Sequence, residues 1–388
     1  MSDRHRERDL SVYVHVPFCA VRCGYCDFNT YTATELGGGG SQAEYPSHAM
    51  AEMDLTLADD RAAGYDYDRV GTVFFGGGTP TLLPADELVA MLAHLRGLIP
   101  LAEGAEVSTE ANPDSVTEES LQQLADGGIT RVSFGMQSAV RSVLRTLGRT
   151  HDPERVPQAV AWAREAGLDV SLDLIYGTPG ETLADVETSV KAALACGVDH
   201  MSAYSLIIEG NTAMARQLRR GELEAPDPDD MADKYELVDD LASADGLTWY
   251  EVSNWARTPA QRSRHNLAYW RGSDWWGIGP GAHRHRDGLR SWNVKHPSRY
   301  ATTLAEGALP VADSEQVSSQ DRLVERIMLE LRIIDGLAVD EVPEQTRPML
   351  EVHRERGHLD ADALAAGRAV LTREGRLLAD AVIRDLVP

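Results

Sequence analysis

Cysteine is scarce in this chain, and long hydrophobic runs are absent. Four of the 388 residues are Cys, too few for a disulfide framework in a chain of this length, so reduced thiols are expected. No apolar run approaches the ~18 residues of a transmembrane helix, and the polar stretch Met1 to Asp9 lacks the hydrophobic core of a signal peptide. The sequence therefore predicts a cytoplasmic protein with no transmembrane segment.

Positive charge is also in short supply. The chain carries 37 Lys and Arg against 61 Asp and Glu, for a formal net charge of -24. Such acidity disfavours nucleic acid and anionic membrane surfaces as partners, so no nucleic-acid binding is expected. The length predicts two or three domains, although one barrel can exceed about 200 residues.

Short apolar strands alternate with helical patterns over residues 10–210, as in βα units around a parallel sheet. The predicted strands are Val12 to Val16, Val70 to Phe75, Glu106 to Thr109, Arg131 to Phe134, Val170 to Ile175 and His200 to Leu206. The predicted helices are Ala85 to Ile99, Thr117 to Ala125, Pro153 to Ala166 and Leu183 to Ala195, and Gly127, Gly167 and Gly197 suit C-caps of three of them. This pattern predicts an α/β fold with a partial (β/α)6 barrel.

Two further regions are predicted after the barrel. Residues 211–312 contain a helix near Met231 to Ala244 and most of the tryptophans, so a ligand-lining or surface-covering extension is expected. Residues 313–388 contain a helix at Gln320 to Arg332 and a predicted hairpin within Leu371 to Asp380, which together suggest a small helical, winged-helix-like domain. Because the chain is acidic, a packing or docking role is favoured over DNA binding. The run Gly37 to Ser41 is predicted to be a flexible surface loop.

Three of the four cysteines lie in one short segment. Cys19, Cys23 and Cys26 follow an apolar strand, whereas Cys196 lies far downstream in a helical pattern. Structural zinc sites and most iron–sulfur clusters use four protein ligands. Three thiolates spaced as CxxxCxxC instead favour a [4Fe-4S] cluster with one iron open to a small molecule. The alternative is a zinc-stapled interaction protein without redox chemistry.

Polar and glycine residues recur at the carboxyl ends of the predicted strands, where parallel barrels place their functional residues. Gly76-Gly-Gly-Thr-Pro80 follows the second strand and could bring backbone amides close to a ligand, or be a simple turn. Glu110 and Gln137 end the third and fourth strands, and Glu110 could also be a rim charge. Asp173 lies within the apolar fifth strand and needs a partner. Arg149 is a candidate for that partner, or it pairs with a carboxylate of the ligand.

The chain resembles the oxygen-independent coproporphyrinogen III oxidase group of radical S-adenosylmethionine (SAM) proteins. The resemblance rests on Val-His-Val-Pro-Phe-Cys-x3-Cys-x2-Cys26, Gly76-Gly-Gly-Thr-Pro80, Ser133-Phe-Gly-Met-Gln-Ser138 and Asp173-Leu-Ile-Tyr-Gly-Thr-Pro-Gly180, and it spans nearly the whole chain. It implies that Cys19, Cys23 and Cys26 hold a [4Fe-4S] cluster. It also implies SAM contacts from Tyr13, Tyr25, Gly77, Gly78, Thr79, Glu110, Gln137, Arg149, Asp173 and Ala203.

Two departures separate this chain from the decarboxylating oxidases of that group. Phe28 stands where those enzymes carry a further cysteine, and only eighteen residues precede Cys19, where they carry a long extension. The HemW-type heme chaperones of the group show both departures. The resemblance therefore implies a heme chaperone with an unidentified acceptor protein, and an electron donor if the cluster is redox active. The alternative is oxidative decarboxylation of a porphyrinogen.

The same chaperones carry the motif His-Asn-x-x-Tyr-Trp, which this chain repeats as His265, Asn266, Tyr269 and Trp270. An imidazole can ligate heme iron, and flat aromatic rings suit the macrocycle. Heme is therefore expected at these four residues, with Trp275 or Trp276 completing an apolar wall and His283 and His285 as weaker second-ligand candidates. The alternative is a buried histidine satisfied within an aromatic core.

Overall fold

The computed structural model describes residues 9–36 and 41–388. The strands are β1 (Asp9–Val16), β2 (Arg69–Gly77), β3 (Leu101–Ala111), β4 (Arg131–Gln137), β5 (Asp169–Tyr176), β6 (His200–Ser205), β7 (Thr248–Glu251), β8 (Asn254–Ala256), β9 (Trp275–Ile278), β10 (His283–Arg286), β11 (Leu289–Asn293), β12 (Val311–Gln316), β13 (Leu337–Ala338) and β14 (Arg368–Ala369). The α-helices are α1 (Ala33–Leu36), α2 (Tyr45–Ala62), α3 (Ala85–Leu98), α4 (Glu118–Asp126), α5 (Arg141–Leu147), α6 (Arg155–Glu165), α7 (Leu183–Ala195), α8 (Ala213–Arg219), α9 (Pro228–Ala244), α10 (Arg264–Trp270), α11 (Pro297–Ala305), α12 (Ser319–Glu330), α13 (Pro348–Glu355), α14 (Ala361–Ala365), α15 (Arg373–Leu377) and α16 (Ala379–Leu386).

Six parallel strands, β1 to β6, lie side by side in chain order and form the predicted partial barrel. Their apolar side chains, such as Val12, Val73 and Leu172, are fully buried beneath the connecting helices. Capping explains two helix starts, because Thr117 and Thr182 each form a capping box with the third residue of the following helix. The α/β fold class and the predicted strands and helices of this region are confirmed.

The sheet does not stop at the barrel. The strand order is β12-β11-β10-β9-β1-β2-β3-β4-β5-β6-β8-β7, with β9 parallel to β1 and β8 antiparallel to β6. Strands from the Trp-rich region therefore extend both edges of the barrel sheet. The predicted boundary between residues 312 and 313 falls inside β12. The division into three domains stays a prediction.

The carboxyl-terminal residues have a hydrophobic core of their own. Ile327, Leu331, Leu350, Val382 and Leu386 are buried together within it. Helices α12 to α16 surround this core, and the short antiparallel pair β13 and β14 lies beside them.

The predicted hairpin within Leu371 to Asp380 is wrong. The segment contains α15 and the start of α16. Helix α15 begins because the Thr372 side chain accepts a hydrogen bond from the Gly375 backbone N–H, at 3.1 Å. The buried residues that follow, Val382, Ile383 and Leu386, have helical rather than alternating spacing.

Two further expectations concern a transmembrane segment and the glycine-rich loop. In the part of the chain that the structure describes, no helix is long and apolar enough to cross a membrane. Most of the predicted glycine loop, residues 37–40, lies outside the described residues.

Candidate functional site

A cavity of about 960 Å³ lies within the curve of the sheet, between the cysteine segment and α10. It brings together nearly all residues expected to bind a cofactor: Cys19, Cys23, Cys26, Tyr13, Tyr25, Gly77, Gly78, Thr79, Glu110, Gln137, Arg149 and Asp173. His265, Asn266 and Tyr269 line the same cavity. The cysteine segment and the His-Asn-x-x-Tyr-Trp motif, about 240 residues apart in sequence, thus line one cavity.

The cysteine segment is held in place by backbone hydrogen bonds to other parts of the chain. The Cys19 N–H donates to the Tyr31 carbonyl at 3.0 Å. The Gly24 N–H donates to the Leu147 carbonyl at the end of α5, at 3.0 Å, and the Gly24 carbonyl accepts from the Met214 N–H of α8, at 2.8 Å. The segment is therefore fixed at the carboxyl end of β1, where its side chains face the cavity.

The thiols of this segment carry the electrostatics of a metal-binding site. Burial raises the pKa of Cys19 to about 11 and also raises the pKa of Cys26, so neither thiol ionises readily without a nearby positive charge. Arg149 lies beside the third thiol, since its Nη1 donates to Cys23 Sγ at 3.6 Å. A bound metal centre would deprotonate all three thiols.

The arrangement fits an iron–sulfur cluster better than a single zinc ion. Among the described residues, no three His, Cys, Asp or Glu side chains converge on the position of one metal ion. The thiolates of a [4Fe-4S] cluster bind separate irons and need not converge in this way, whereas zinc thiolates all lie about 2.3 Å from one centre. The three cysteines on one loop at a cavity therefore favour the cluster.

The glycine loop after β2 lies directly against the cysteine segment. The Gly78 N–H donates to the Val16 carbonyl at 2.9 Å, and the Thr79 N–H donates to the Phe18 carbonyl at 2.8 Å. A Cβ on Gly78 would lie 2.3 Å from that Phe18 carbonyl oxygen. Only glycine permits this contact, so the sequence motif fixes the distance between the two loops.

Gly77 connects this loop to the carboxylates of the cavity. Its φ of +108° is a conformation that favours glycine. Its N–H donates to Glu110 Oε2 at 3.0 Å. The carboxylate that ends β3 is thereby oriented into the space beside the cysteines.

Two buried acids, Glu110 and Asp173, line the cavity. Burial, and then repulsion from Asp173, raise the pKa of Glu110 to about 7. Burial also raises the pKa of Asp173, whose carboxylate accepts hydrogen bonds from Ser133 Oγ at 2.9 Å. Two acids whose charged forms are disfavoured by burial become favourable partners for a cationic ligand, such as the sulfonium and amine of SAM.

Gln137 and Arg149 complete this side of the cavity. Gln137 has a φ of +62°, a left-handed conformation that is rare for a residue with a side chain and that often marks a functional site. Arg149 Nη2 donates to the Gly135 carbonyl at 2.9 Å, which positions the guanidinium between β4 and the cysteine segment. The expected pairing of Arg149 with Asp173 is not a direct contact, because Arg149 binds Gly135, Cys23 and His151.

Helix α10, which carries the motif, closes the opposite end of the cavity. Glu106 accepts hydrogen bonds from the backbone N–H groups of Arg264 and His265, at 2.9 and 3.2 Å. His265 is 1% exposed and stacks on Phe74, with ring centroids 5.2 Å apart. The motif residues lie on one short helix, α10, with Ser263 as its N-cap.

Both ring nitrogens of His265 have hydrogen-bond partners. Thr72 donates its hydroxyl proton to Ser11, so its oxygen accepts from His265 Nδ1–H at 2.8 Å. The Tyr269 hydroxyl therefore donates to the lone pair of His265 Nε2, at 3.1 Å. Burial lowers the pKa of His265 to about 3, so the imidazole is neutral at pH 7 with its basic nitrogen facing Tyr269.

Some predicted site residues lie outside the cavity lining. Ala203 is buried on β6, and Trp270 packs against the apolar cluster around Tyr250. Trp275 contacts Tyr269 edge-on, with ring centroids 4.9 Å apart, whereas Trp276 Nε1 donates to Asp60 at 2.7 Å.

The two second-ligand candidates also lie outside the lining. His283 is exposed and stacks on Trp292, with centroids 5.7 Å apart. Both ring nitrogens of His285 are engaged, by the Ser273 carbonyl and the Gly288 N–H.

Sequence reasoning missed a polar group at the closed end. Arg131, Ser171 and His200 line the cavity there, at or near the first residues of β4, β5 and β6. His200 binds Ser171 Oγ at 2.7 Å and the Tyr250 hydroxyl at 2.8 Å. Arg131 and His200 are polar residues at the start of otherwise apolar strands, and this pattern is the sequence feature that could have indicated the group. At the other end, the exposed Val21, Phe28 and Ile207 were also missed as lining residues.

A partial parallel barrel with three cysteines, a glycine loop and buried acids at its strand ends defines a radical SAM protein. The sequence model of the radical SAM superfamily matches residues 13–193. The chain is 49% identical to a heme chaperone HemW of Mycobacterium tuberculosis (strain H37Rv), over 97% of this chain and 95% of that protein. It is 32% identical to a heme chaperone HemW of Escherichia coli K12, over 96% of this chain and 97% of that protein. Accordingly, the chain belongs to the HemW family.

A solved structure shares the whole fold. The coproporphyrinogen III oxidase HemN from Escherichia coli, a radical SAM enzyme, superposes with a TM-score of 0.80 and covers 99% of this chain and 91% of its own. The two sequences are 22% identical. At this identity the likeness establishes the architecture alone.

Proposed function

We propose that this protein is a heme chaperone that binds heme and passes it to an acceptor protein. The observation that carries the proposal is the shared cavity: the cysteine segment and the His265 motif line one space in a member of the HemW family. The acceptor is a further protein, and an electron donor is a second partner if the cluster is redox active. The cytoplasm is proposed as the location because the metal-binding thiols need a reducing compartment, and nucleic acid is not a proposed partner.

Cys19, Cys23 and Cys26 hold the [4Fe-4S] cluster in this proposal. SAM would be held by the residues that line the cavity beside these cysteines: Tyr13, Tyr25, Gly77, Gly78, Thr79, Glu110, Gln137, Arg149 and Asp173. When bound, the cluster supplies an open iron and one-electron chemistry. Glu110 and Asp173 attract the cationic groups of SAM, and the glycine loop keeps the ligand close to the cysteines. Ala203 lies behind the lining, so its contribution is packing behind the cavity wall.

His265 is the proposed iron ligand, with Asn266, Tyr269 and Trp270 around it. The hydrogen bonds of Ser11, Thr72 and Tyr269 leave Nε2 as the basic nitrogen, which is the form that binds a metal. Iron must displace the Tyr269 hydroxyl to reach it. Because SAM and a deep heme would occupy one cavity, this assignment predicts that each weakens binding of the other.

The second candidate function is oxidative decarboxylation of a porphyrinogen. The likeness of the fold to HemN favours it, with a TM-score of 0.80. Phe28 disfavours it, since it replaces the further cysteine of the decarboxylating oxidases with an exposed apolar ring at the cavity.

Two assays on the same sample separate these functions. The protein is reconstituted anaerobically with iron and sulfide, then titrated with heme and, separately, incubated with coproporphyrinogen, SAM and a reductant. The proposal expects saturable heme binding and no decarboxylated product. Turnover to protoporphyrinogen without heme binding would establish the oxidase instead.

A further inference from the structure

Exposed apolar side chains surround the open end of the cavity. Val21, Phe28 and Ile207 are 49%, 56% and 69% exposed, and all three line the cavity. They are the most exposed large hydrophobic residues in the described part of the chain. We call these three residues the apolar rim. Such a concentration of exposed apolar surface marks an interaction site.

The rim is held in a fixed position by ordered structure. Val21 and Phe28 lie in the cysteine segment, which the backbone hydrogen bonds of Gly24 tie to α5 and α8. Ile207 follows β6, and the preceding residue, Leu206, donates its N–H to the Tyr176 carbonyl at 2.8 Å. Leu206 itself is buried against α5 and α8. Three apolar side chains on fixed backbone therefore present a ready-made surface.

The other end of the cavity is shut. Helix α10 lies across it, the His265 ring is 1% exposed, and Glu106 binds the first backbone N–H groups of the helix. The proposed SAM contacts Glu110 and Asp173 lie between α10 and the cysteines along their strands. A large ligand from solvent must therefore meet the apolar rim before any deeper residue.

We infer that the apolar rim is the docking site for heme as it is loaded onto the protein and released. The inference rests on the proposed function, because it takes heme as the cargo. A porphyrin offers two flat apolar faces, which match exposed aromatic and aliphatic side chains. Cargo at the rim stays accessible to an acceptor, whereas cargo at His265 does not.

On one side of the rim, nearby arginines supply positive charge that suits the two carboxylates of heme. Arg22 is adjacent to Val21, and the guanidinium groups of Arg216 and Arg219 lie on the carbonyls of Asn211 and Gly210, shortly after Ile207. Arg22 is also paired with Glu35, at 3.5 Å. Asp27, Asp114 and Glu209 line the cavity as well. On the α8 side the two arginines outnumber Glu209, which leaves a net positive charge for the heme propionates.

The test introduces a charge at the rim and at a matched site elsewhere. Ile207→Asp and Phe28→Asp are compared with Met328→Asp, whose parent side chain is 40% exposed on α12, outside the cavity lining. Heme affinity is measured by Soret titration of the reconstituted proteins, and iron content and melting temperature are recorded. We expect about tenfold or greater loss of heme affinity for both rim variants, with unchanged iron for Ile207→Asp and a wild-type result for Met328→Asp.

Other outcomes overturn the inference without ambiguity. Wild-type heme affinity in both rim variants would show that heme does not dock there. Unchanged heme affinity with loss of transfer to an acceptor would assign the rim to the partner protein instead. If the wild-type chain itself fails to bind heme saturably, the proposed function fails, and the docking inference falls with it.

Discussion

Three thiols determine whether the cavity can hold a cluster. We expect Cys19→Ala, Cys23→Ala or Cys26→Ala to remove the cluster, because each leaves only two protein ligands. Cys196→Ala is the matched control, since the Cys196 thiol donates to the Ala192 carbonyl of α7 and lies outside the cavity lining. Iron content and visible absorbance after anaerobic reconstitution are the measurements. Stoichiometric zinc without iron in the wild-type protein would contradict the account.

Glu110 should make SAM binding depend on pH. Burial raises its pKa to about 7, so at lower pH the carboxyl group is protonated and cannot attract a cation. Affinity for SAM should therefore increase as the pH rises from 6 to 8, by at most roughly tenfold per pH unit below about 7.

The controls for this prediction lie on the same strand. Glu110→Gln should bind SAM more weakly at pH 8, with a flatter pH profile, because the amide does not ionise. Glu103→Gln changes an exposed residue of β3 and should keep the wild-type profile. The measurement is the equilibrium affinity for SAM at several pH values. If the affinity of the wild-type protein does not change with pH, Glu110 does not contact SAM.

His265 and Tyr269 test the proposed iron ligand. His265→Ala should weaken heme binding and shift the Soret band while leaving cluster iron unchanged. Tyr269→Phe should strengthen heme binding, because it removes the hydroxyl that occupies Nε2. A purely structural histidine gives a different result: His265→Ala would keep its heme affinity and lose roughly 1–3 kcal/mol of unfolding free energy.

Among the structural elements, the glycine loop after β2 is the most sensitive to substitution. Gly78→Ala should lower both cluster iron and SAM binding, because its Cβ would lie 2.3 Å from the Phe18 carbonyl and push the loop from the cysteine segment. Gly97→Ala, within α3, has no heavy atom within 4 Å of the added Cβ and should keep both properties. Iron analysis and SAM titration of the two variants check this, and equal iron contents would contradict the packing argument.

Strands and helices of the barrel were predictable because local signals agree with tertiary burial. The apolar residues of β1 to β6 and the threonine caps of α4 and α7 all indicate the observed elements. The segment after Leu371 was misassigned because it is too short for its period to be read, and the cap at Thr372 decides it. The residues of the motif were singled out from the sequence, but the place of α10 at the closed end was not, since sequence spacing carries no information on which strand ends the helix covers.

For the molecule as a whole, the sheet edges explain how distant motifs reach one cavity. Strands β7 and β8 extend one edge of the barrel sheet and β9 to β12 the other, so the chain between them, including α10, crosses beneath the barrel. Sequence reasoning placed the cluster and the His265 motif in separate domains, because pairing between strands so far apart in the chain leaves no local signal. The consequence is a space with a cluster at one end, a histidine at the other and an apolar rim at its opening.

The most direct test of the central claim is a heme titration of the anaerobically reconstituted protein, followed at the Soret band. The account predicts saturable, stoichiometric binding by the cluster-containing protein, which weakens when SAM is present because both ligands enter one cavity. Non-saturable absorbance, equal to that of heme added to a protein without this cavity, would contradict the claim that this chain carries heme.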